Sequence, residues 1–273
     1  MSAVTDKHNK LMNANSPYAL ISGGSKGIGY AIAEALAKRN YNLVLVARHK
    51  ESLEIAKNKL ETRYAIHVII LVFDMAEKES VDKIAEWCLE KDIQLKILCN
   101  VAGLGGAKDY LSLPLDDLRY MIHVNIESQM ALCLELLPLL EKNNPSYIMN
   151  IGSSAAFAPI PIKNIYSATK SAVLFFSYSL RYQLKKKNIS VSCVCPGPVF
   201  TKIEIMQETI EKMGWLGKLM EVDPKRVGEV AVRKTLNKRM VIVPGTLAKI
   251  ISVILRLLPK SLLVYIYYQL GKK

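Results

Sequence analysis

Seven short runs along the chain are apolar at nearly every position: Tyr18–Ser22, Asn42–Ala47, Ile66–Phe73, Lys96–Asn100, Tyr147–Gly152, Ser190–Cys195 and Met240–Val243. Strands with one wet face alternate apolar and polar residues, whereas continuous runs belong to strands covered on both faces. Helical stretches lie between them, over Ile28–Arg39, Glu51–Glu61, Ser80–Glu90, Leu115–Leu140, Tyr166–Lys187 and Pro224–Lys238. This alternation predicts an α/β fold: a Rossmann-type, doubly wound parallel sheet with helices on both faces. Such sheets bind ligands beyond the carboxyl ends of their strands. Each motif below falls at such an end.

No linker, repeat or low-complexity run interrupts the pattern. Residues 17–245 therefore read as one dinucleotide-binding catalytic domain, and 273 residues at 51% hydrophobic suffice for one buried core. Residues 1–16 are polar and mixed in charge, which predicts a flexible terminus and neither a secretory signal nor an anchor.

Residues 246–273 form a different kind of segment. Leu247, Ile250, Ile251, Ile254, Leu255 and Leu258 share one helical face, with Lys249, Ser252 and Arg256 opposite. Pro259 ends that helix, and a second apolar stretch, Leu262–Leu270, contains Tyr265, Tyr267 and Tyr268. Neither reaches the roughly 20 apolar residues of a spanning helix. The net charge of +13 is concentrated here: residues 230–273 hold nine basic side chains and no acid, whereas the rest balances 28 against 24. One reading is peripheral contact with anionic lipid, tyrosines at headgroup level. The other is packing on a second subunit or on the catalytic domain. The cations are too sparse and too interleaved with aliphatics for a nucleic-acid partner.

Five cysteines (Cys88, Cys99, Cys133, Cys193 and Cys195) are expected as free thiols in a reducing, cytoplasmic compartment, with any membrane association on its cytoplasmic face. Cys193 and Cys195 flank Val194 on one strand face; no histidine completes a zinc site, so no metal is expected.

The first strand runs into Ser22-Gly23-Gly24-Ser25-Lys26-Gly27-Ile28-Gly29. Glycines let backbone approach a pyrophosphate, and the following helix N-terminus offers free N–H groups. A purely structural turn is the alternative. The second strand ends at Arg48 with no acid to meet a ribose 2′-hydroxyl. Arg48 and Lys26 suit a 2′-phosphate instead, so NADP(H) is expected over NAD(H), unless both are simply solvated cations. Asp74 follows the third strand, placed either to meet an adenine amino group or to cap a helix. Tyr166 and Lys170 share a helical face, and a neighbouring ammonium favours a phenolate. Ser153 follows the fifth strand and is placed to hydrogen-bond a substrate oxygen.

With these pieces in order, residues 18–243 resemble a short-chain dehydrogenase/reductase of the ordinary single-domain type. The resemblance rests on Ser22-Gly23-x-x-x-Gly27-x-Gly29, Asp74, Asn100-Val101-Ala102-Gly103, Asn125, Ser153, Tyr166-x-x-x-Lys170 and Pro196-Gly197-Pro198-Val199-Phe200-Thr201. It implies Tyr166 as general acid/base, Lys170 lowering its pKa and holding the nicotinamide ribose, and Ser153 orienting the carbonyl. Asn125 would anchor a water that continues a proton relay. Asn100, with Ala102 and Gly103, would support the adenosine side; Pro196, Gly197, Val199 and Thr201 would line the nicotinamide. Ser22 replaces the usual threonine and keeps the hydroxyl, Val101 replaces a second asparagine, and the tail replaces a short acidic-glycine ending.

The substrate side is apolar. Ala155–Ile162 links serine to tyrosine with almost no polar residue, and Lys202–Glu221 carries Met206, Met213, Trp215 and Met220 where the family has a substrate lid. An NADP(H)-dependent oxidoreductase of a hydrophobic ketone or secondary alcohol, fatty 3-oxoacyl or sterol-like, is the resulting expectation. A carrier-protein 3-oxoacyl-thioester reductase and a non-catalytic NADPH-sensing scaffold are the alternatives. The family's habit implies a homodimer or homotetramer.

Overall fold

The computed structural model describes residues 16–105, 110–197 and 223–271. Seven parallel strands form one sheet in the order β3-β2-β1-β4-β5-β6-β7. They are β1 (Tyr18–Ser22), β2 (Asn42–Ala47), β3 (Val68–Val72), β4 (Leu95–Asn100), β5 (Ser146–Ile151), β6 (Ile189–Val194) and β7 (Val241–Ile242). The order reverses between β1 and β4, so the crevice of the doubly wound sheet opens there.

Alternate strand residues feed two cores. Ala19, Ile21, Leu43, Leu45, Ile97 and Met149 face α1 (Gly27–Ala37), α2 (Lys50–Arg63) and α8 (Pro224–Leu236). Leu20, Val44, Val46, Leu98, Ile148 and Val191 face α3 (Ser80–Glu90), α5 (Ser128–Glu135) and α6 (Leu137–Lys142). The uniform burial of β1, β2 and β6 explains their continuous apolar sequence. β3, at the sheet edge, leaves Val72 exposed. Close packing of α8 on α1 depends on Gly228, where a Cβ would lie 2.5 Å from the Ala31 carbonyl carbon and oxygen. Asp223 starts α8 by accepting from the Lys225 N–H, with Pro224 at the first helical position.

The stretch expected as one helix over Leu115–Leu140 is broken. α4 (Leu115–Ile122) passes into a π-helical turn at His123–Glu127, then α5, then α6 after a break at Leu136. The π turn has helical dihedrals at both flanks, and no glycine or proline marks it in the sequence. α7 (Asn164–Gln183) is the long helix beside β5 and β6.

The chain ends in a helical hairpin, α9 (Thr246–Leu257) and α10 (Lys260–Gly271). It closes a third core, in which Ala248, Leu255 and Leu263 pack with Phe157, Val173, Leu174, Cys193 and Cys195. The buried edge of α9 is Ala248, Ser252 and Leu255 rather than the large aliphatic stripe. Ser252 tolerates burial because its hydroxyl donates to the Lys249 carbonyl at 2.8 Å.

Candidate active site

The glycine turn is tight for steric reasons. Gly23 has φ +71°, and a Cβ there would lie 3.0 Å from Ala102 N; at Gly29 it would lie 2.0 Å from the Gly23 carbonyl oxygen. Side chains at either position would fill the cradle or break it. Ser22 ties the crevice shut from below: its Oγ accepts from Val101 N at 3.0 Å and Ala102 N at 3.2 Å. The hydroxyl that serine keeps thus joins the ends of β1 and β4.

Beside the cradle lies a polar recess of about 620 Å³. Ser25, Lys26 and Gly27 line it with Tyr30, His49, Ser52 and Lys59. Sequence reasoning missed these last four, although His49 directly follows Arg48. Arg48 does not line the recess; its guanidinium donates to the Tyr120 hydroxyl at 2.8 Å and stands 3.7 Å from the Asp74 carboxylate. Asp74 also accepts from Ala76 N at 3.0 Å, capping the turn after β3 and not a helix, since the next helix begins only at Ser80.

Asn100 looks the other way. Its amide, fully buried, donates to Asn150 Oδ1 at 2.9 Å and to the Gln129 carbonyl at 3.3 Å. It braces the sheet behind the cradle instead of lining the open cleft. Gln129 in turn donates to the Ala102 carbonyl at 3.2 Å, fixing the loop that carries Gly103.

Ser153, Tyr166, Lys170 and Asn125 converge beyond the carboxyl ends of β4 and β5. The ends of β5 and β6 stay zipped past the sheet, with Gly152 N to the Val194 carbonyl and Ser154 N to the Pro196 carbonyl, both 2.8 Å. This holds Ser153 in extended backbone at the start of a short 3-10 turn, Ser154–Phe157. Gly152 sits over two thiols: a Cβ there would be 2.9 Å from Cys193 Sγ and 3.0 Å from Cys195 Sγ. Pro196 and Gly197 are buried beside them, while Val199, Thr201 and the segment Lys202–Glu221 lie outside the described residues.

Lys170 is 4% exposed and donates to the Ile151 carbonyl at 2.9 Å, with its Nζ 5.9 Å from the Tyr166 ring centroid. Burial lowers its pKa to about 8. Tyr166 is pushed the opposite way: burial raises its pKa, against a hydrogen bond from Ser153. The phenol is therefore a protonated acid at neutral pH in the chain by itself. Asn125 sits in the π turn, where its Oδ1 accepts from Leu104 N at 2.7 Å and its Nδ2 donates to the Leu104 carbonyl at 2.9 Å and Thr169 Oγ1 at 3.1 Å. Gly103 lets these groups meet, since a Cβ there would stand 3.2 Å from Lys170 Nζ and 3.3 Å from Asn125 Oδ1.

The family model described as short chain dehydrogenase matches residues 17–212, the span that holds every one of these groups. The chain belongs to the short-chain dehydrogenase family. It is 31% identical over 200 residues to the very-long-chain 3-oxoacyl-CoA reductase of Mus musculus, covering 71% of this chain and 64% of the relative. It is 32% identical to the A form of Danio rerio, covering 71% and 62%. The chain thus spans less than two thirds of these relatives. An uncharacterized oxidoreductase of Staphylococcus saprophyticus is 31% identical, covering 78% of this chain and 88% of that protein. Among solved structures, a short-chain dehydrogenase from Sphingobium yanoikuyae in complex with NADPH superimposes with TM-score 0.75 at 29% identity, covering 87% and 92%. L-sorbose reductase from Gluconobacter frateurii, complexed with NADPH and L-sorbose, gives 0.74 at 26% identity, covering 85% and 96%.

Proposed function

We propose that this chain is an NADP(H)-dependent reductase of hydrophobic 3-oxoacyl thioesters. The observation that carries the reading is the meeting of Ser153, Tyr166 and Lys170 beside a glycine cradle that a single Cβ would obstruct. Gly23, Gly29 and Gly103 fit a dinucleotide, and Lys26 and Arg48 fit its 2′-phosphate in a strand end without an acid. Two related solved structures hold NADPH, and the curated relatives named above are very-long-chain 3-oxoacyl-CoA reductases, which favours a fatty ketone over a polar one.

When bound, the cofactor supplies the hydride that goes to the carbonyl carbon. Tyr166 gives its phenolic proton to the carbonyl oxygen as charge develops there. Ser153 steadies that oxygen through its hydroxyl. Lys170 offers an ammonium to the ribose and to the proton path that refills Tyr166, and Asn125 holds the loop and helix between which that path runs.

NADPH oxidation, followed by absorbance across 3-oxoacyl-CoA chain lengths and small polar ketones, tests the proposal. Long acyl chains should turn over best, and Tyr166→Phe should lower kcat by about 10³-fold or more while NADPH still binds. Preference for small polar ketones would overturn the substrate class, and an active Tyr166→Phe variant would overturn the chemistry.

A further inference from the structure

Among the described residues, 21 large hydrophobic side chains are exposed, and ten of them lie in α9 and α10. On α9 they are Ile250, Val253, Ile254 and Leu257, the last 80% exposed. Two of them, Ile250 and Ile254, belong to the aliphatic stripe that an amphipathic helix would ordinarily bury, and Val253 and Leu257 widen the outward face. The helix docks through Ala248, Ser252 and Leu255, with Ile251 and Leu258 half-buried against the third core, and leaves Ile250 and Ile254 outward. On α10 the outward residues include Tyr265, Ile266, Tyr268 and Leu270, with Leu263 alone fully buried. An apolar groove of about 770 Å³ between α10 and α7, lined by Pro159, Ile160, Phe175, Tyr178 and Val264, extends the same surface.

We propose that the α9–α10 hairpin is a docking face for the surface of an anionic lipid bilayer. Each helix has 12 residues, about 18 Å, far short of the roughly 30 Å hydrocarbon core, and no helix among the described residues is long and apolar enough to cross a membrane. Such helices lie in the interface with apolar side chains down and tyrosines near the headgroups. Charge selects the lipid. Residues 230–273 carry nine cations and no acid. At the root of α9, Lys234 has its pKa lowered first by burial and then by Lys249, Arg233 and Arg239, a cluster of like charges that anionic headgroups would relieve. The hairpin itself, residues 246–271, carries Lys249, Arg256 and Lys260 and no acid, so a second copy of the chain would set like charges against like with nothing in the segment to pair them. The hairpin is held firmly against the catalytic domain. Lys260 Nζ donates to the Phe157 carbonyl at 2.9 Å and the Leu255 carbonyl at 3.2 Å, and the Arg256 guanidinium lies 4.1 Å from the Phe157 ring centroid. The proposal is independent of the reductase reading, because binding is measured without turnover.

The test is co-sedimentation of the full chain with phosphatidylcholine vesicles, with and without phosphatidylserine. Deleting the hairpin is unsuitable, since Leu255 and Leu263 fill the third core. Instead, Ile254→Asp with Leu257→Asp alters side chains that are 48% and 80% exposed, so the melting temperature should hold. The expected result is binding that requires phosphatidylserine, weakens with salt, and falls about 100-fold in the double variant. Lys249→Glu, which leaves the apolar face intact, should weaken binding about tenfold. Equal sedimentation with and without phosphatidylserine, or binding unchanged in either variant, would overturn the proposal. So would absence of binding, whether the chain is monomeric or forms a dimer that the double variant dissociates; the latter would assign the face to a second copy.

Discussion

Lys170 carries its charge where a charge is expensive. Its ammonium is almost fully enclosed, held by one backbone carbonyl, and its pKa falls to about 8. The Tyr166 phenol beside it is raised by the same burial. These shifts set a pH window. Lys170 is cationic below about 8 and loses its proton above, whereas Tyr166 stays protonated throughout that range. For carbonyl reduction, kcat/KM, which reports the free enzyme, should be flat near neutrality and decline as pH rises through about 8. A profile still flat well above that value would remove Lys170 from the proton path. Arg48 poses a second question at this scale, because its guanidinium is occupied by Tyr120 and Asp74. A 2′-phosphate would have to draw it away. Arg48→Ala should therefore raise the KM for NADPH by roughly tenfold and leave NADH kinetics nearly unchanged. Equal effects on both cofactors would mean that Arg48 shapes the adenine wall and does not read the phosphate. Spacing alone put Tyr166 and Lys170 side by side on a helix, and the resemblance to the family supplied their roles and that of Ser153. The Ile151 carbonyl that holds Lys170 was not legible, because that contact joins elements 19 residues apart.

Among elements, the π turn at His123–Glu127 matters most to the site. It offers Asn125 to both the N–H and the carbonyl of Leu104, so one side chain latches the loop after β4 to the helix bearing it. Its third bond, to Thr169, reaches α7 one residue before Lys170. Asn125→Ala would leave two buried backbone groups unpaired, a cost of about 1–3 kcal/mol each before water enters. Thermal melting should show that loss, and kcat should fall with it as the loop bearing Gly103 drifts from Lys170. Unchanged melting and kcat would show that the latch is dispensable. The helix bounds were readable for α1, α2, α3 and α8, each with a capping residue, a glycine or an apolar period to mark it. The break within 115–142 was hidden, since no glycine or proline marks the π turn between two helical segments.

For the whole molecule, the question is whether the hairpin is part of the folded body. Leu263 is 1% exposed and packs with residues of α7, β6 and the turn after Ser153. Its loss would open a cavity shared by the tail and the catalytic domain. Leu263→Ala should cost about 2–5 kcal/mol, or several degrees of Tm in a single transition. A separate low-temperature transition for the tail would instead mark the hairpin as an independent unit. The sequence by itself determined the layered fold and the glycine turn after β1, because periodicity and short-range spacing are local properties of the chain, and its family resemblance named Ser153, Tyr166 and Lys170 as candidates. It also determined that the tail is apolar and cationic. Only the tertiary structure decided which way that tail faces: Ala248, Ser252, Leu255 and Leu263 meet the third core, while Ile250, Val253, Ile254 and Leu257 face outward. Likewise Asn100 reads in sequence as a neighbour of the cofactor, yet the polar partners that satisfy its buried amide come from β5 and α5. Such choices depend on what distant segments bring to the same place, which no local pattern encodes.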